Sequence, residues 1–309
     1  AGGNSPAGGA GRVNVTAAAV SMAAGSEIST TSVGARNAGD VLVVSRSTVA
    51  MAGGSTISSS ASDAGAAGGI IVRGAGDVTL RGAAITSAVT SANSAHAGSV
   101  SLESGGDVTM SAGSLVAAST QSNVKSATRG DVRIQAGNLK IDASSVSAAT
   151  SGAQDAGSIT VIAGGDIRLT NAATMTSQSS AAGAAGDILL SAERTVSLDT
   201  ASAIQSDSTA ANGGKSGAIS IGAKSAHPKL VEVLGGSSIQ TSSANRNSAG
   251  GVVVYAYDVR VMGAGSEIAS DNFSSNGGAA GSILVDVDPI TISDGGRIST
   301  NAATGAAGD

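Results

Sequence analysis

The sequence has no cysteine and no tryptophan, and only one phenylalanine and two tyrosines among its 309 residues. Without cysteine there is neither a disulfide staple nor a thiolate metal site, so backbone pairing and aliphatic packing must hold the chain together. Without aromatics a globular core of the usual kind is excluded. The 41% of residues that are hydrophobic are largely alanine, with valine, isoleucine, leucine and methionine at regular places. No stretch of 18 apolar residues occurs and no charged leader precedes an apolar segment, so neither a helical membrane span nor a signal peptide is expected. A basic excess is missing too: the net charge of -5 is spread along the chain without a lysine or arginine block. That removes the electrostatic footprint of a nucleic-acid binder.

What the sequence does contain is 45 glycines together with abundant serine, alanine and threonine. Such a composition suits disorder, but the charge is low, the mean hydropathy is +0.21 and the aliphatic residues are periodic, which favours order. A small residue, then glycine, then any residue, then two alternate aliphatics recur as AGRVNV, AGDVLV, AGGIIV, AGSVSL, RGDVRI, AGSITV, AGDILL, SGAISI, AGGVVV and AGSILV. The glycines are Gly11, Gly39, Gly68, Gly98, Gly130, Gly157, Gly186, Gly217, Gly250 and Gly281, with Gly308 expected to open an eleventh unit. A period of 27 to 33 residues is the signature of a solenoid.

Each unit carries two further segments with the two-residue alternation of a half-buried strand. The second reads as Val20-Ser-Met22, Val49-Ala-Met51 or Val78-Thr-Leu80, and the third is anchored by one aliphatic such as Ile28, Ile57, Ile85 or Val116. Three short strands per unit form a triangular coil. Equivalent strands one turn apart pair in parallel, and such crossovers are overwhelmingly right-handed. The expected fold is therefore all-β: a right-handed parallel β-helix over residues 1–309, three strands per coil and about ten coils of about 30 residues. At ~4.8 Å per coil this is a rod on the order of 48 Å long. Length drift is expected mostly after the third strand, as in Ser243 to Ser248 and Asp271 to Ala279. No coil buries enough apolar surface to fold alone, so stability is shared between neighbours and the end coils present open strand edges. Both termini read as parts of the same inter-coil loop, and a segment of a longer array is expected.

The AG-D-[VI]-x-[VIL] start, the V-x-M/L second strand and the third strands of GSEIST and GSTISS resemble the repeats of filamentous-haemagglutinin-like large exoproteins, over essentially the whole chain. The resemblance implies a bacterial cell-surface or extracellular rod, exported through a dedicated partner pore and acting as adhesin, fibre or stalk. Its implied partners are further coils of the same polypeptide, end-to-end or lateral copies of itself, and surface glycans.

Several β-helices bind or cleave polysaccharides, so a glycan-binding or glycan-cleaving protein is the competing class. Their chemistry needs clustered carboxylates, often Ca²⁺, and a base on one face of neighbouring coils. The carboxylates at hand are Asp40, Asp131 and Asp187 before first strands and Asp77, Asp107, Asp166 and Asp258 before second strands. Asp77 and Asp107 fall in adjacent coils and are the candidates for bridging Ca²⁺. The alternative use of an aspartate after glycine is to accept hydrogen bonds from the next backbone N–H groups and fix the turn, as Asn138, Ser99 and Ser158 would at equivalent places. The Asp286/Asp288 pair precedes the last second strand and is too sparse for hydrolysis. His96 and His227 fall in separate loops with no nucleophile motif beside them and read as solvated. No catalytic residue and no obligatory cofactor is expected. The aromatic residues give the sharpest local signal, since Tyr255, Tyr257 and Phe273 all belong to the ninth coil. With Val252 and Val254 inward, Tyr255 points outward and Tyr257 follows at the corner, an arrangement suited to a sugar face or a partner rod. A flat threonine array of the ice-binding kind is excluded by the mixed outward residues Glu27, Thr56, Ala84, Ser145, Ala203, Glu267 and Arg297.

Overall fold

Alternation of inward aliphatic and outward polar residues builds every coil. In the strand Val41–Ser45, Val41 and Val43 are fully buried while Leu42 and Val44 face outward, and the same two-residue rhythm runs through Val49–Ala52 and Thr56–Ala61. The computed structural model describes residues 9–126, 128–275 and 277–304; Gly308 lies outside them. The described residues form no helix and assemble three ten-stranded parallel sheets, in each of which a strand pairs with its equivalents one coil before and one coil after. This is a β-solenoid of ten coils with three strands each. We refer to the sheets as first, second and third, and to the corners by the strands they join.

Register keeps like residues over like. The first sheet stacks Val41, Ile70, Val100, Val132, Ile159 and Ile188; the second stacks Val49, Val78, Val108, Leu139 and Ile167; the third stacks Ile57, Ile85, Val116, Val146 and Met175. These columns meet in one continuous apolar core along the axis. Because the ladders are parallel, a one-residue slip in any coil would send its anchors to solvent, which pins the register.

The repeating glycine is a stacking residue. A Cβ added at Gly186 would lie 2.2 Å from the carbonyl oxygen of Gly157, and one at Gly217 would lie 2.2 Å from that of Gly186. Gly39, Gly68, Gly98, Gly157, Gly250 and Gly281 meet the preceding glycine's carbonyl in the same way. Only a residue without Cβ permits the ~4.8 Å spacing at this point. Gly130 is the exception: its nearest neighbours would be the methyl groups of Ala97 and Ala118, at 2.9 and 3.0 Å.

A buried hydroxyl from the third strand secures the same corner. Ser177 Oγ donates to Gly157 O (2.9 Å) and accepts from Gly186 N–H (2.8 Å), and Ser59, Ser87, Ser206 and Ser270 make the same pair of bonds. Ala118 and Ala148 occupy this column in the fourth and fifth coils. The corner between second and third strands takes the left-handed conformation, with glycine pairs such as Gly53-Gly54 and Gly235-Gly236 but also non-glycine residues such as Ala143, Ala172 and Thr200.

Length drift sits in two places rather than mostly one. Loops after third strands vary as the spacing suggests. In addition, the eighth coil carries Gly222–Lys229 between its first and second strands, eight residues where the other nine coils use two or three.

Candidate functional site

The aspartates before the second strands form a column down one corner. Asp77 Oδ1 accepts the Asp107 N–H (2.9 Å), Asp107 Oδ1 accepts the Asn138 N–H and side-chain amide (both 2.8 Å), and Asn138 Oδ1 accepts the Asp166 N–H (2.9 Å). The donors belong to the next coil, so these side chains tie coils together rather than fixing their own turn, which corrects the local reading. Asp40, Asp131 and Asp187 do the same before first strands, accepting from Gly69, Ser158 and Ala218 at 2.8–2.9 Å. A carboxylate on a backbone N–H is a charge-assisted bond, and an asparagine oxygen replaces it at Asn37 and Asn123. One oxygen of both Asp77 and Asp107, the Ca²⁺ candidates, is committed this way. Among the described residues no three His, Cys, Asp or Glu side chains gather as a metal-ligating group.

Further along that corner Asp166 receives Arg168 (3.0 Å) and Arg194 (3.1 Å), and the hydrogen bond from Arg194 is the main reason its carboxyl is held below the usual carboxylate range. Arg73 with Glu103 (2.7 Å), Arg260 with Asp258 (2.7 Å) and Arg297 with Glu267 are further outward pairs. Exposed pairs of this kind contribute little individually; Arg194–Asp166, Arg73–Glu103 and Arg297–Glu267 link adjacent coils, while Arg168–Asp166 and Arg260–Asp258 lie within one.

The most distinctive place is the corner of coils eight to ten. Tyr255 ends the first strand of the ninth coil, half-buried; Tyr257, 61% exposed, stands in the turn that follows. The inserted loop of the eighth coil rises beside them. Ala223 and Ala226 exchange two backbone hydrogen bonds (2.8 and 3.0 Å), Gly222 N–H bonds to Leu190 O, and Tyr257 and Asp258 N–H groups bond to Pro228 and Lys229 carbonyls at 3.1 Å. Gly222 is required, since its φ of +71° is left-handed and a Cβ there would meet Tyr255 O at 2.6 Å. The loop sets the His227 ring against Tyr257, centroids 4.5 Å apart and planes tilted by 52°. His227 is thus a half-exposed loop residue with its ring against Tyr257, whereas His96 lies at a different corner with Nδ1 3.1 Å from Ala97 O.

The tyrosines, His227, Lys224, Asp286 and Asp288 enclose an open cavity of about 400 Å³ floored by Ala256 and Val287. Asp286 continues the Tyr255 column into the tenth coil. Phe273 is elsewhere: it follows the third strand, where its N–H bonds to Ser243 O (2.9 Å), so the sequence grouping of three aromatics divides into a tyrosine pair and an isolated phenylalanine. Asp286 and Asp288 were legible as a pair before the last second strand but not as neighbours of the tyrosines, and nothing in the sequence brought Lys224 to this place. The twelve-residue step from Ile219 to Val231, against eight from Ile70 to Val78, was the signal that an insertion stood there.

No family model, no curated protein and no solved structure matches this chain.

Proposed function

We propose that this chain is a structural, adhesive segment of an extracellular bacterial rod or fibre, of the kind that filamentous-haemagglutinin-like exoproteins supply, with no chemistry of its own. The observation that carries the reading is regularity. The described residues hold three unbroken parallel ladders, each with one strand from every coil. A repeat whose side chains are spent on coil-to-coil bonds supports a spacer more than a catalyst. A further coil of the same polypeptide, or another copy, is the natural partner for the outer edges of the first and last ladders, and surface glycans are the partner for exposed corners. Electron microscopy of the native surface material is the direct test. Uniform filaments or rods at the cell surface, with an axial repeat of roughly 4.8 Å, are the expected result; protein confined to the cell interior would overturn the proposal.

The second reading, a glycan-binding β-helix, is favoured by one observation, the aromatic cavity at coils eight to ten.

A further inference from the structure

We infer that the cavity between the coil-eight insertion and coils nine and ten is a binding site for neutral pyranose units of an oligosaccharide. The inference deepens the glycan-binding reading and is independent of fibre formation, so the two fail separately.

The first support is where the aromatics are. The chain has two tyrosines in all, and both line this one cavity, with the His227 ring tilted against the second. Exposed aliphatics such as Val33, Leu189 and Leu284 occur elsewhere on the rod, whereas Tyr257 sets an exposed ring, which contributes nothing to the core, beside a second tyrosine. A ring face is, however, the complement of the apolar C–H face of a pyranose, with the phenol and imidazole supplying polar edges.

The second support is the charge pattern. Some outward charges along the rod are paired, as in Arg73–Glu103, Arg194–Asp166 and Arg260–Asp258, and others, such as Arg81 and Lys215, make no ion pair among the described residues. Around the cavity, Lys224, Asp286 and Asp288 make no ion pair or side-chain hydrogen bond among the described residues. Carboxylate acceptors and an ammonium donor around an aromatic wall match the donor and acceptor pattern of sugar hydroxyls. Both signs at one rim disfavour a strongly anionic or cationic ligand, which selects a neutral one.

The third support is preorganisation. The insertion is pinned by backbone hydrogen bonds at both ends and by the Ala223–Ala226 pair, and Pro228 is buried, so the walls stand formed without ligand. That lowers the entropy cost of binding. A volume of about 400 Å³ falls within the roughly 300–1,000 Å³ of small-molecule sites. Its open side lets a longer chain continue beyond the bound unit.

Titration of the intact chain with neutral tetrasaccharides of the gluco, manno and galacto series, by calorimetry and by ligand-observed NMR, tests this. Saturable binding of at least one series is expected. Tyr257→Ala and the double variant Asp286→Asn, Asp288→Asn should each weaken it about tenfold or more, about 1.4 kcal/mol. Phe273→Ser should leave it unchanged. Unaltered far-UV circular dichroism and denaturation midpoints establish that each variant is folded, which the exposure of these side chains permits. Absence of saturable binding by any neutral series, equal binding by Tyr257→Ala, or tighter binding of a sialylated or cationic analogue would each overturn the assignment.

Discussion

Gly186 and Gly130 occupy the same position of the repeat and are expected to respond differently to one added methyl. At Gly186 the methyl would land 2.2 Å from a backbone oxygen that cannot yield without opening the coil spacing, whereas at Gly130 it meets two methyl groups near 3 Å. Gly186→Ala should lose about 3 kcal/mol, the upper part of the overpacking range, and Gly130→Ala about 1, as read from urea denaturation. The opposite correction applies at the left-handed corner. Ala172 is exposed with φ +57°, so Ala172→Gly should stabilise by about 0.5–1 kcal/mol, the relief of left-handed strain less the unfolded-state entropy of glycine. Asp207 supplies a pH signature: burial pushes its carboxyl up, opposed by the hydrogen bond it accepts from Ser242 (2.7 Å). An acid raised in the folded state holds its proton to higher pH than the unfolded chain does. Its contribution therefore falls as pH rises from the ordinary carboxylate value of about 3.9 through the raised one. Asp207→Asn should gain stability relative to the parent as pH rises past the ordinary carboxylate value, and denaturation midpoints measured below and well above that value check the sign.

The third strand shows what one element reveals and conceals when read from sequence. Its anchors, Ile57, Ile85 and Val116 among them, were legible because an aliphatic among serines and threonines can only be the inward residue. The hydroxyl two positions later was not. Serine is common throughout the strand, and nothing local distinguishes Ser177, which clamps two glycines, from Ser147, which faces outward. Likewise the aspartates were legible as corner residues, but their donors lie one coil away, beyond what turn chemistry describes. The coil-eight insertion was countable in the spacing, yet its pairing of His227 with Tyr257 depended on the loop's path. The clamp can be tested in both directions. Ser177→Ala should cost about 1–3 kcal/mol by stranding a buried carbonyl and N–H. Ala148→Ser, which places a hydroxyl between Gly130 and Gly157, should be neutral or stabilising by about 1. Thermal denaturation of the pair distinguishes a general clamp from one confined to particular coils.

At the scale of the whole molecule, stability is a sum over neighbours, and a coil is a removable part. Joining Ala156 to Gly186 by deleting residues 157–185 keeps the small-residue, glycine step and every column in phase. The shortened chain should fold, with small-angle scattering reporting a rod shorter by about 4.8 Å, while the chain with residues 157–170 deleted should not fold, because it loses two strands of one coil and keeps the third without them. The Asp and Asn bonds at the corners add a further property. In each of them the side chain accepts and the N–H of the following coil donates, from Asn37 and Ala66 to Asp187 and Ala218. The rod is thus vectorial, like an arrow whose tip and tail differ in hydrogen-bonding sense. Two copies meeting tail to tip extend these ladders, whereas two tips meeting face acceptor with acceptor, so end-on growth of such rods would proceed with a single polarity.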